Sequence, residues 1–253
     1  MSAHDLLLEI AHCPVASGCL ADPGSGHPCA RIVSRQRTTD PAEHHLPEPW
    51  DGDLAHAPLL FIGSNPSIDR DELNPTWTWP DDDVLDFYTH RFDGRRPEWT
   101  RDARYPLLKD GTHRRRGVSF WATVRKRAAE LLEREPQPGI DYAMCGVVHC
   151  KSKAEYGVRE ALGECAERYL ERMLAASGAQ VIVGLGKIAG DALRRRHSIP
   201  GDARLHGPVM IGGRERYIAF LPHPNARMKR SFAACLTPEE LSHLRDVAQT
   251  ALQ

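Results

Sequence analysis

Four stretches of the chain are apolar almost without interruption: PLLFIGS (58–64), DYAMCGVVHC (141–150), AQVIVGLG (179–186) and ERYIAFLPHP (215–224). Unbroken apolar runs bounded by Gly and Pro predict strands buried on both faces, not the alternating strands of a half-exposed sheet. Between and after them the apolar positions change to helical spacing: SFWATVRKRAAELLERE from Ser119, REALGECAERYLERMLAAS from Arg159, KIAGDALRRRHS from Lys187 and TPEELSHLRDVAQTALQ from Thr237. The last opens on a threonine cap with Glu240 three residues on. Strands alternating with helices imply right-handed crossovers. The fold class predicted is α/β, a three-layer α/β/α sandwich with a central four-stranded, mostly parallel sheet.

Two regions break the pattern. Residues 20–57 are rich in Pro, Gly, His and Asp, and residues 68–117 carry PTWTWPDDD and DFYTHRFDGRRPEW between the first strand and its helix. A connection that long is a lid or binding loop with some helix of its own. The organisation expected is an N-terminal lobe over 1–57 and an α/β domain over 58–253 with an insertion at 68–117.

The formal net charge of −1 supplies no global field for a polyanion, so any nucleic-acid surface must be a local patch. Arginines cluster at 114–116, 125–127, 194–196 and 227–230, each run reading as a solvated face or a phosphate contact. The N-terminus, MSAHDLLLEIAHC, lacks a cationic start and its apolar stretch is too short for a signal peptide or a membrane span, which points to a cytoplasmic protein with no membrane partner. Seven cysteines in such a chain read as reduced thiols, used for core packing or for metal.

In an open parallel sheet, ligands bind outside the carboxyl ends of the strands. The first predicted strand ends in Gly63-Ser64-Asn65-Pro66-Ser67 and the last in His223-Pro224-Asn225-Ala226-Arg227. Each places a polar side chain beside a proline that stiffens the loop, so Asn65 and His223 would face one crevice. Read alone, each is also an ordinary turn.

With these residues in view, the chain resembles the uracil-DNA glycosylase superfamily. GSNPS and HPNAR match its two motifs, GVSFW (117–121) looks like the segment that supplies a stacking aromatic, and VIVGLGKIAGDAL (181–193) is similar to the third strand and helix of the iron-sulfur branch. The resemblance implies a [4Fe-4S] cluster on Cys13, Cys29, Cys150 and Cys165, with Cys19 competing for a place, and Cys145 and Cys235 left as packing residues. The family's close Cys-x-x-Cys is absent here, and the Asn-type first motif makes this an atypical member near that branch.

The activity implied is excision of uracil or other deaminated bases from single- or double-stranded DNA in base excision repair, by a protein for which a monomer suffices. Asn65 and His223 would be catalytic. Gly63, Ser64, Ser67, Phe120 and Asn225 would hold the substrate, with Trp121 or core packing as other roles for the aromatic pair. Arg227, Lys229 and Arg230 would contact DNA. Gly146 stands where iron-sulfur members carry an asparagine that reads the pyrimidine edge, which implies a relaxed pocket open to hypoxanthine or xanthine. The competing reading is a non-catalytic iron-sulfur protein that binds single-stranded or damaged DNA.

Overall fold

The computed structural model describes residues 2–228 and 230–251. The four predicted strands are present as β1 (Leu59–Gly63), β4 (Tyr142–Gly146), β5 (Val181–Leu185) and β7 (Arg214–Leu221), and every pairing among them is parallel. Between β1 and β4 lie two two-residue strands, β2 (Thr100–Arg101) and β3 (Tyr105–Pro106), which form a separate antiparallel pair.

The sheet has five strands rather than four, in the order β4-β1-β5-β7-β6, because β6 (Leu205–Ile211) pairs antiparallel on the edge beside β7. Its sequence, LHGPVMI, hides it: Gly207-Pro208 interrupts the run, and the register shifts between His206 and Val209. A proline cannot donate to the ladder and is tolerated only at such an edge or bulge.

Alternate residues of the strands feed two cores. Leu60, Ile62, Ala143, Ile182 and Ile218 face α1 (Ala3–Ala11), α4 (Asp81–His90), α6 (Val158–Cys165), α7 (Glu171–Ala176) and α8 (Gly186–His197). Leu59, Phe61, Met144, Val183 and Leu221 face α5 (Ser119–Leu132), α9 (Phe232–Cys235) and α10 (Pro238–Thr250). The three-layer sandwich is therefore as predicted, and the continuous apolar runs have their cause in burial on both faces. Thr237 and Glu240 form the capping box that opens α10.

The N-terminal segment is built into the first of these cores. Beside α1 it forms α2 (Pro14–Ala21) and α3 (Ala30–Val33), and Leu6, Ile10 and Ile32 are fully buried. α6 and α7 are joined by a turn of π-helix, Ala166–Leu170, which breaks the single helix expected from Arg159 and aims Tyr169 at the same interior as Cys165. The other edge of the sheet is closed by residues 48–51: Asp51 exchanges backbone hydrogen bonds with Met144, and Glu48 N–H donates to His149 O. Edge strands left bare would template pairing with other chains. Among the described residues, no helix is long and apolar enough to cross a membrane.

Gly157 fixes how α3 docks on α6. It sits at φ +75°, and a Cβ there would lie 2.7 Å from Ile32 N. Gly157→Ala should cost about 1–3 kcal/mol of unfolding free energy in a urea titration, with loss of N-terminal packing before the sheet melts.

Candidate active site

Because the four strands run parallel, their carboxyl ends share one edge, and the register sets Gly63 of β1 directly beside Gly146 of β4. A Cβ on Gly146 would come within 2.9 Å of Asn65 Cα and 2.7 Å of Val148 O, so the loop after β1 rests on bare backbone. That loop aims Asn65 into a pocket of about 660 Å³, within the range of small-molecule sites. Gly63, Ser64, Ser67, Phe120, His223 and Asn225 line the same pocket, so all the predicted catalytic and substrate positions are brought together.

Asn65 is held by its nitrogen. Nδ2 donates to Ser152 Oγ at 3.1 Å, to Pro66 O at 2.8 Å and to Cys150 O at 3.3 Å. These contacts use the donor and leave Oδ1 out of them. His223 is half-buried, its ring centroid 5.9 Å from that of Phe120. Its Nδ1 accepts from Asn225 N–H at 3.2 Å, which assigns the ring proton to Nε2 in the neutral form. Burial, partly offset by Glu155, pulls the His223 pKa down, so the neutral form prevails at pH 7. Ser119 Oγ donates to Asn225 Oδ1 at 3.3 Å and ties this loop to the start of α5, next to Phe120. Gly186, at φ +82°, lets β5 turn into α8 under His223, where a Cβ would sit 3.0 Å from His223 Cβ.

Sequence reading missed a set of buried charges lining the same pocket: Glu48, Asp51, Glu72, Arg91 and Lys151. Arg91 is 3% exposed, bonds Glu72, and reaches Asp51 at 3.4 Å and Glu48 at 3.7 Å. Lys151, 2% exposed, pairs with Glu48. The 68–117 insertion supplies Glu72 and Arg91, and Arg91 also lies 4.9 Å from the Trp121 ring centre. Three carboxyls thus face two cations, and burial with Glu48 alongside raises Asp51 to about 7. Cys145, expected only to pack, borders this pocket as well.

Of the predicted DNA contacts, Arg227 is exposed on the loop after His223. Arg230 does not line the pocket but borders a depression with Lys126, Arg127 and exposed Met228. Lys229 lies outside the described residues.

Beyond the end of β4, Cys13, Cys29, Cys150 and Cys165 line one small apolar cavity with His149 and Tyr169. Cys19 is buried nearby but does not line it. Burial and the neighbouring thiols push Cys29 and Cys165 up to about 12, with Cys150 also well above the usual thiol range. Among the described residues, no three His, Cys, Asp or Glu converge closely enough for a single metal ion. No disulfide joins the cysteines of the described residues.

A stiffened amide and a neutral imidazole thus face one pocket with an aromatic wall, at the carboxyl edge of a parallel sheet in an α/β protein. The chain belongs to the uracil DNA glycosylase superfamily, whose family model matches residues 49–247. A comparison with curated proteins finds no match.

A carboxyl with a raised pKa contributes stability below its ordinary range that is lost as pH rises through the raised value. Wild type should therefore lose melting temperature between about pH 4 and 7 through Asp51. Asp51→Asn, which cannot ionise, should lose less over the same window in a melting series.

Proposed function

We propose that the protein is a DNA glycosylase that extrudes a deaminated base, uracil foremost, and hydrolyses its N-glycosidic bond to leave an abasic site. The observation that carries this reading is the meeting of Asn65, Phe120 and His223 around one pocket, on a chain of this superfamily. A base inside a duplex must leave the stack before chemistry, at a cost of a few kcal/mol that is least at mismatches. Phe120 offers the surface on which the extruded base stacks.

As the C1′–N bond breaks, its electron pair moves onto the base and positive charge grows on the sugar. A donor aimed at the base oxygen strengthens as that negative charge develops, which lowers the barrier more than it tightens substrate binding. His223 suits this role because Nδ1 is occupied as an acceptor and the proton sits on Nε2. Asn65, with Nδ2 committed to Ser152 and the Cys150 carbonyl, has Oδ1 to accept from the water that attacks C1′. An amide takes up no proton and brings no charge, so the water's proton leaves to solvent or to the departing base. The rate then rests mainly on leaving-group stabilisation.

Gly146 bears on the range of bases. A Cβ there would crowd Val148 O and Asn65 Cα, so no side chain from that position reads the base edge. This supports acceptance of hypoxanthine and xanthine beside uracil.

A [4Fe-4S] cluster on Cys13, Cys29, Cys150 and Cys165 belongs to the same proposal. The donor set fits: four cysteine thiols share one cavity, and thiolate sulfur is the ligand such a cluster takes. Cys13, Cys29, Cys150 and Cys165 would hold the cluster. It would fasten the segments of Cys13 and Cys29 to the end of β4 and to α6.

The test is alkali cleavage of labelled oligonucleotides carrying one uracil, hypoxanthine or xanthine, single-stranded or paired. Base-dependent breaks are expected, with Asn65→Ala slower by about 10²-fold or more and His223→Ala by about 10²–10³-fold. Binding without breaks in wild type would replace this reading with a non-catalytic damage binder. For the cofactor, protein purified without air should absorb in the visible blue and hold about four irons per chain. Cys165→Ser should lose them and Cys235→Ser should not; a colourless wild type after iron and sulfide reconstitution would remove the cluster.

A further inference from the structure

The family match begins at residue 49, yet Arg35 and Arg37, from the segment before it, line the active pocket. They sit on and just after a 3-10 turn, Ser34–Gln36, that directly follows α3. The turn is pinned from inside: the buried Gln36 side chain donates to His45 O and accepts from His45 N–H, both at 2.9 Å. Arg37 ends the turn at φ 55°, a left-handed conformation that a non-glycine residue adopts at a cost, and its side chain is exposed. The Arg35 guanidinium lies 5.2 Å from the ring centre of Tyr156, on the loop that follows Cys150 and Lys151. Lys153, exposed on that same loop, borders the pocket too.

What sets these three apart from the other cations of the pocket is that they have neither a carboxylate nor a backbone carbonyl as partner among the described residues. Arg31 beside them is paired with Glu160 at 2.5 Å, and Arg114 with Asp69 at 3.0 Å, while Arg70 donates to the Gln36 carbonyl. Arg35, Arg37 and Lys153 have no carboxylate within 4.0 Å among the described residues. Three cations held at a pocket mouth without counter-ions invite an anion from outside. A nucleotide drawn into the pocket leaves its own phosphates at that mouth.

We infer that Arg35, Arg37 and Lys153 form a phosphate grip for the single strand flanking the extruded nucleotide, with Tyr156 positioning Arg35. This rests on the glycosylase reading for its substrate but places the contact outside the family-matched region. With a net charge of −1 the protein has no general attraction for DNA, so a local grip of this kind carries the electrostatic part of binding.

Fluorescence anisotropy with a labelled single-stranded oligothymidylate, titrated across salt concentrations, tests the grip without any cleavage. Arg35→Gln/Arg37→Gln should weaken binding about tenfold or more at low salt and flatten the log-log salt slope by about 1.4. Lys153→Gln alone should flatten it by about 0.7. The control Arg95→Gln/Arg214→Gln removes the same charge from positions that line neither the pocket nor its neighbours and should leave the slope alone. A double variant that behaves like the control overturns the grip, whatever the excision assay gives. A flattened slope on a wild type that excises no base keeps the grip and removes the glycosylase.

Discussion

The site depends on one register. Gly63 and Gly146 stand side by side at the ends of two parallel strands, and only because Gly146 carries no side chain can the loop bearing Asn65 fold down onto β4. From that seat Asn65 reaches Ser152 and the Cys150 carbonyl with its nitrogen. A one-residue slip would exchange the two faces of β1, carrying Leu60 and Ile62 out of one core and Leu59 and Phe61 out of the other. The packing of both cores therefore also holds the amide in place.

Beneath this seat lies a buried ionic group that a packed apolar floor could have replaced more cheaply. Desolvating Arg91 and Lys151 is repaid only by close carboxyl partners, and Glu48, Asp51 and Glu72 are those partners. Its members come from the segment closing the β4 edge, from the insertion, and from the loop after β4. The group thus locks three pieces of chain around the pocket, at the expense of a carboxyl that retains its proton near neutrality.

Much of this arrangement was legible in the sequence. β1 and β5 announce themselves as continuous apolar runs, and Asn65 and His223 stand out because a proline follows each at a strand's end. The grouping of Cys13 and Cys29 with Cys150 and Cys165 came from resemblance, and the four line one cavity. β6 was not legible, since Gly207-Pro208 erases the strand pattern. The π turn after Cys165 adds a residue per turn without changing the composition of an amphipathic helix. Glu48, Asp51, Glu72, Arg91 and Lys151 are scattered along the chain in polar surroundings, and no periodicity distinguishes a charge that will be buried. The nearest signal was Lys151 directly after an apolar strand run.

The N-terminal helices have a consequence for how the chain is made. Leu6, Ile10, Cys13 and Cys29 are made well before the surface that buries them, because α6, the π turn and α7 lie more than a hundred residues downstream. At about 5–20 residues per second, that surface follows only after roughly 7–30 s. Throughout that interval the first two thiols of the cavity are exposed on an unfinished chain. They therefore meet the redox buffer around the nascent polypeptide before the fold can shelter them.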